Sequence, residues 1–207
     1  MPGRRVLILL AHPVLERSRV NRRLVQAVRG LDGVRVHDLY EVYPTLAIDA
    51  RREQQLLVEH DVVVFQHPFY WYSMPSILKE WQDLVLEHGW AYGAGGTRLV
   101  GKIALHAIST GAPVSAYRRE GYNRFSVREL LAPCEQTAHL CGMRFLAPFV
   151  VHAALRLATP DELAPHQAAY RRLVEAVRED RLDLERAAAA ANLNDELEAL
   201  LAPREVA

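Results

Sequence analysis

Cysteine is nearly absent from the chain: among 207 residues only Cys134 and Cys141 carry a thiol. They lie about two helical turns apart on one face, too far along a helix for an easy disulfide. A disulfide framework is excluded, and the expectation is a reduced, cytoplasmic protein with both thiols in its core. Charge of either sign is not in excess, Lys+Arg and Asp+Glu each numbering 25. That balance argues against the broad electrostatic footprint of a nucleic-acid or anionic-membrane binder. Long apolar runs are missing too. The first one, over residues 6–11, has strand length, and no convincing cleavage site follows it. Direct membrane insertion is therefore not expected, and any membrane role would pass through a partner protein. The chain also lacks Gly-x-Gly-x-x-Gly, a Walker A loop, a Gly-x-Ser-x-Gly elbow, His-Glu-x-x-His and Cys-x-x-Cys. These absences disfavour a Rossmann-bound dinucleotide, a nucleoside triphosphate, a serine hydrolase and a metal centre.

What is present is an ordinary globular composition, 50% hydrophobic and 8% aromatic, long enough for one α/β domain with a full core. Apolar, β-branched runs at 6–11, 34–39, 61–66, 102–109 and 144–152 read as strands. Between them, helical stripes fall at 21–28, 49–60, 75–85 and 127–140, the last closed by Gly142, and a strong start at Thr159-Pro160-Asp161-Glu162 opens a helix to about Arg178. Strands and helices alternate without hairpin signals. This is the pattern of a three-layer α/β sandwich around a five-stranded parallel sheet in the order 2-1-3-4-5. Residues 1–179 make this domain. Residues 180–207, rich in Ala, Leu, Glu and Arg, read as a helical extension packed on the domain or on a second subunit, with Asn194 as a cap and fraying from Pro203 onward.

Three segments would meet at the carboxyl edge of such a sheet, where ligands of open α/β folds bind. The first strand ends in Ala11-His12-Pro13 and leads to Ser18-Arg19-Val20-Asn21 at a helix start. Free N–H groups there receive phosphate well, with hydrogen bonds from Ser18 and Asn21 and charge from Arg19, although Ser18 read alone is equally a plain N-cap. The third strand runs into Gln66-His67-Pro68 and the rings Phe69, Tyr70, Trp71 and Tyr72. Large rings in a loop need a cover, so they point to a planar ligand, a subunit interface, or both. Ser109, Thr110, Gly111 and Ala112 follow the fourth strand as a small-residue turn that lets backbone amides approach a ligand, or simply ends the strand. Nine histidines invite a metal, and His12, His67, His106 and His152 lie in or near strands, but no ligand spacing accompanies them. Ala11-His12-Pro13 also opens the motif of zinc-dependent sugar deacetylases, yet Val14 and Leu15 stand where that motif has aspartates.

The residues also carry a resemblance. Ala11-His12-Pro13 with Ser18 and Asn21, Asp38-Leu39-Tyr40, Tyr43-Pro44, Gln66-His67-Pro68, Tyr72-Ser73 and Leu78-Lys79-Glu80-Trp81 occur in order. Gly89-Trp90-Ala91-Tyr92-Gly93, Thr110-Gly111 and Ser115-Ala116-Tyr117 follow. Over roughly residues 5 to 175 the chain resembles the flavodoxin-like NAD(P)H:quinone oxidoreductases, and among them the ancillary subunits of glutathione-regulated potassium-efflux systems. The resemblance implies a flavodoxin-like fold and FMN held without a covalent bond. His12, Ser18, Arg19, Val20 and Asn21 would hold its phosphate, Phe69 to Tyr72 would lie along its rings, and Ser109 to Ala112 would bound its polar edge. It implies a homodimer with active sites at the interface, covering Trp71, Trp90 and Tyr92. It implies ping-pong hydride transfer from NAD(P)H to a quinone, with Tyr117 as a catalytic residue and Asn123 where relatives place a His. Ala112 replaces a common Gly, Pro113 follows it, and the extension from Asp180 exceeds the likeness. The alternative it implies, supported by Ser115-Ala116-Tyr117 and Leu146-Ala147-Pro148, is a regulatory subunit. Such a subunit binds the cytosolic domain of a potassium–proton antiporter and sits at the inner membrane only through that partner.

Overall fold

The computed structural model describes residues 3–201. Its sheet is built from β1 (Val6–Leu10), β2 (Val34–Asp38), β3 (Val62–Pro68) and β4 (Ile103–Ser109), with β5 (Arg144–Phe145) and β6 (Phe149–Val151) both beside β4. All pairings are parallel, and the order is β2-β1-β3-β4-β5, with β6 pairing β4 further along. The α/β sandwich and the strand order are those read from the sequence. β1, β3 and β4 are buried at every position, which is why they are written as continuous apolar runs; the edge strand β2 buries only His37.

The helices are α1 (Val20–Val28), α2 (Leu39–Val42), α3 (Ala50–Glu59), α4 (Ser76–Val85), α5 (Val127–Leu130), α6 (Ala132–Leu140), α7 (Pro160–Arg178), α8 (Leu184–Ala189) and α9 (Leu193–Leu200). Alternate strand residues feed two cores. Val6 and Ile8 meet Leu24 and Val28 of α1 and Leu173 and Val177 of α7. Leu7 and Leu9 share the opposite face with Leu57 of α3, Trp81 of α4 and Ala138 of α6. Cys134 and Cys141 are free and buried, and burial pushes the Cys134 thiol up to about 11. Among the described residues no helix is long and apolar enough to cross a membrane.

Five local expectations differ from the fold. The third strand runs through His67 and Pro68, because the His67 ring meets a partner inside the sheet, Nε2 lying 3.0 Å from His106 Nδ1. The fifth strand is broken: Pro148 has no N–H to give, and the Ala147 N–H turns out of the sheet to the Ala187 carbonyl at 3.0 Å. The helix over 127–140 is two helices, interrupted at Leu131 ahead of Pro133, and Asp38 turns the chain into α2 by accepting from the Tyr40 N–H at 3.1 Å. In the extension, Asn192 rather than Asn194 caps α9; Asn194 Oδ1 accepts from the Val150 N–H at 2.6 Å instead. Leu182, Leu193, Leu197 and Leu200 join the α1–α7 core, so the extension packs on its own domain. The fraying expected from Pro203 onward lies outside the described residues.

Candidate active site

A crevice of about 760 Å³ opens at the carboxyl ends of β1, β3, β4 and β6, within the size range of small-molecule sites. An enclosed apolar gap of about 20 Å³ between Phe65, Trp81 and Phe145 is a packing fault by comparison, barely wide enough for one water.

The segment after β1 supplies the first wall. His12 Nδ1 accepts from the Val14 N–H at 3.2 Å, and burial holds the imidazole below its ordinary pKa, so it is neutral near pH 7. Ser18 has extended backbone, and its Oγ accepts from the Asn21 N–H at 3.1 Å, so the N-cap reading of Ser18 is correct. The first N–H groups of α1 and the side chains of Arg17 and Arg19 give this wall positive potential. Val20 turns its side chain into the core, leaving only its backbone at the crevice.

Asn21 is fully buried beneath that wall. Its Nδ2 donates to Ser109 Oγ at 2.9 Å, and its carbonyl accepts from Gln66 Nε2 at 2.9 Å. Gln66 Oε1 in turn accepts from the Tyr170 hydroxyl at 3.0 Å. These bonds tie α1, β3, β4 and α7 together. Among the described residues, Asn21 Oδ1 is the only buried side-chain nitrogen or oxygen without a hydrogen-bond partner.

The aromatic segment is a tight turn. Ser73 N–H donates to the Tyr70 carbonyl at 3.0 Å, and the two central residues, Trp71 and Tyr72, have φ of 48° and 61°. Non-glycine residues held there cost on the order of 1–3 kcal/mol each, a strain that collects at functional sites. Phe69 is buried, Tyr70 and Tyr72 are about half exposed, and Trp71 is 92% exposed. Trp90 and Tyr92, by contrast, are partly buried against their own core.

Beyond β4, Thr110 is buried and its hydroxyl donates to the Ala112 carbonyl at 2.8 Å. The N–H groups of Gly111 and Ala112 meet no acceptor among the described residues. A side chain built at Gly111 would meet only Leu155 Cδ1, at 4.0 Å, so it would grow into open crevice. The Tyr117 ring centroid lies 6.4 Å from that of Phe69 and 5.5 Å from that of His152. Burial pushes the Tyr117 phenol up. Asn123 Oδ1 accepts from the Tyr72 hydroxyl at 3.1 Å, and its N–H donates to the carbonyl of Ala116, the neighbour of Tyr117, at 3.2 Å. The fourth wall escaped the sequence reading. It is Ala154 with Leu155, which is 80% exposed, after β6. A bulky apolar residue just past a strand's carboxyl end was the available signal.

A family model described as flavodoxin-like fold matches residues 4–174. The chain belongs to this flavodoxin-like family. It is 49% identical over 166 residues to the glutathione-regulated potassium-efflux system ancillary protein KefG of Yersinia enterocolitica, covering 80% of this chain and 90% of that one. Among solved structures it is 40% identical to general stress protein 14 of Treponema denticola in complex with FMN, with a TM-score of 0.78 and coverage of 84% and 99%. It is 31% identical to an NADPH-quinone reductase from P. pentosaceus, with a TM-score of 0.74 and coverage of 82% and 96%.

Proposed function

We propose that this chain is an FMN-dependent oxidoreductase that takes hydride from NAD(P)H and delivers it to a quinone, working as a homodimer. The observation that carries this reading is the crevice: a basic helix start, a turn of exposed rings and free backbone N–H groups converge on a volume suited to a flavin. The residues fit FMN on two further counts. Asn21 Oδ1 is an acceptor still to be satisfied, and the space over Gly111 lets a flat ring lie close to the backbone. Bound FMN would supply two-electron chemistry, accepting hydride from the nicotinamide and passing it to the quinone in alternate visits to one site.

The chain's own part is binding, orientation and proton supply. Arg19, Ser18 and the first N–H groups of α1 bind the phosphate, with His12 and Val20 beside them. Phe69, Tyr70, Trp71 and Tyr72 flank the rings and exclude water. The Gly111 and Ala112 N–H groups point donors at the edge where negative charge gathers on reduction. Tyr117 holds a proton for the quinone oxygen, and its raised pKa keeps that proton on the phenol near pH 7. Asn123 holds the Tyr72 hydroxyl. A second copy covers Trp71.

The test is the visible spectrum of the purified protein supplied with FMN. Retained FMN, bleached by NADPH or NADH and restored by a quinone, is the expected result; protein that neither keeps FMN nor oxidises either nucleotide ends the proposal.

The likeness to KefG supports a second role alongside catalysis, as a cytoplasmic regulatory subunit held at the membrane by a potassium–proton antiporter. Co-purification with the antiporter's cytosolic domain is expected, and no association at micromolar concentration removes this role.

A further inference from the structure

A second recess, of about 750 Å³, is formed by the loop between Tyr117 and α5, and nothing in the function proposed so far engages it. Residues 117–125 read Tyr-Arg-Arg-Glu-Gly-Tyr-Asn-Arg-Phe, three arginines against one glutamate. Two turns hold the loop: the Gly121 N–H donates to the Arg118 carbonyl at 2.9 Å, and the Arg124 N–H to the Gly121 carbonyl at 3.1 Å. Gly121 presses on the preceding backbone. A Cβ there would lie 2.4 Å from the Ala116 carbonyl oxygen, so only glycine fits. Asn123 joins the loop to the crevice rim, its N–H on the Ala116 carbonyl and its Oδ1 on the Tyr72 hydroxyl. Arg124 is held at a φ of 62°, a left-handed strain of the kind that collects at functional sites.

Arg119, Tyr122, Arg124 and Phe125 line this recess together with Glu120. Tyr122 and Phe125 are exposed rings. Among the described residues neither Arg119 nor Arg124 has an ion-pair partner. Glu129 feels the charge of Arg119, but its Oε2 is taken by the Ser126 N–H and hydroxyl, at 2.7 and 2.8 Å. Glu120 is one negative charge against the arginines on either side of it. Unpaired guanidinium groups on a pinned loop are pre-set for phosphate, which they grip through paired N–H donors. A bare aromatic face stacks on a base. A quinone would use the rings and leave the charges idle; a phosphorylated nucleoside uses both.

We propose that this recess receives the adenosine end of the nicotinamide dinucleotide, with Arg119 and Arg124 on its 2′-phosphate and Tyr122 against the adenine, so that the enzyme prefers NADPH to NADH. The proposal rests on the oxidoreductase reading. With its nicotinamide on the flavin, a dinucleotide carries its adenosine end out of the crevice, and the loop stands at the rim beside the aromatic turn. NADPH differs from NADH only by the 2′-phosphate, so two guanidinium groups select by charge without touching the hydride.

Two measurements test it. In the FMN-loaded enzyme with one quinone, kcat/KM for NADPH should exceed that for NADH by at least about tenfold. Arg119→Ala and Arg124→Asn should each cut that preference by at least about fivefold, through a raised KM for NADPH with kcat little moved. Asn suits position 124 because it tolerates left-handed backbone. Arg119→Lys keeps the charge without the paired donors and should fall between. A preference within about threefold of unity in the unaltered enzyme, or variants that slow both nucleotides alike, overturns the proposal and leaves the activity standing.

The second measurement needs no turnover. It is calorimetric titration with 2′,5′-ADP and with 5′-AMP, on protein saturated with FMN so that the phosphate site at α1 is filled. 2′,5′-ADP should bind at least about tenfold tighter than 5′-AMP and lose that advantage in Arg119→Ala. Equal affinities, or an advantage that survives Arg119→Ala, overturn the proposal. A protein that keeps no FMN, or keeps it and oxidises neither nucleotide, ends the activity; the same titration of that protein then decides the recess by itself.

Discussion

Ser18 and Glu53 show how differently a single polar residue can be employed. Ser18 caps α1 at the crevice, and Asp caps helices as well as Ser does, so Ser18→Asp leaves the fold intact while setting a carboxylate against the proposed phosphate. FMN binding should weaken by at least about tenfold, ~1.4 kcal/mol, read by fluorescence quenching of the added flavin. Unchanged affinity would move the phosphate elsewhere. Glu53 is a carboxylate buried far from the crevice. Its Oε1 accepts from Tyr43 Oη at 2.6 Å and meets His37 Nε2 at 2.9 Å, and its Oε2 accepts from Trp81 Nε1 at 2.8 Å. Burial alone would raise its pKa, but the bonds from His37, Tyr43 and Trp81 together leave it below its ordinary 4.5. A depressed carboxylate contributes stability above its unfolded pKa and loses it as pH falls through the folded one. Chemical denaturation should therefore show stability falling on the acid side of pH 4.5. Glu53→Gln exchanges one of the two acceptor oxygens for an N–H donor, so the donors gathered there from Tyr43, His37 and Trp81 cannot all keep their acceptor; it should cost about 1–3 kcal/mol at pH 7 and flatten that acid limb.

At the level of elements, legibility followed how each segment is buried. β1, β3 and β4 announce themselves because both faces are covered, so every residue is apolar or paired. The Thr159 capping box names the start of α7 directly, with Glu162 N–H on Thr159 Oγ1. What the pattern missed depends on neighbours remote in sequence. No local signal says that Ala147 will bond Ala187 and split a strand, or that Asn194 will serve Val150 while Asn192 caps the helix. The same holds at the site. The helix start and the aromatic turn were readable, but the meeting of Thr110, Tyr117 and His152 is made by sheet order and loop return. The extension is an integral element of the core. Leu193, fully buried, becomes a cavity in Leu193→Ala, with an expected loss of about 2–5 kcal/mol in urea unfolding. A loss under about 1 kcal/mol would show that α9 docks only loosely.

For the molecule as a whole, the question is what covers Trp71, the most exposed ring among the described residues. Trp71 sits on a left-handed turn position that Asn tolerates well, so Trp71→Asn removes the ring without disturbing the turn. The folded monomer should keep its stability within about 0.5 kcal/mol. The proposed dimer should weaken, seen in sedimentation velocity as a shift toward monomer at concentrations where the unaltered protein is paired. Identical sedimentation of both proteins would place Trp71 outside any interface.

The interrupted fifth strand has one more consequence, for solubility. A sheet edge with a continuous row of free N–H and carbonyl groups is a template on which another chain can add a strand. Here the outward groups are already engaged: Ala147 N–H with Ala187, the Pro148 carbonyl with the Leu193 N–H, and Val150 N–H with Asn194. All of those partners come from the extension, which seals the border of the sheet as well as packing under it. A chain ending at residue 179 should therefore aggregate, with light scattering rising at concentrations where the full chain stays clear, even under conditions that leave the remaining domain folded.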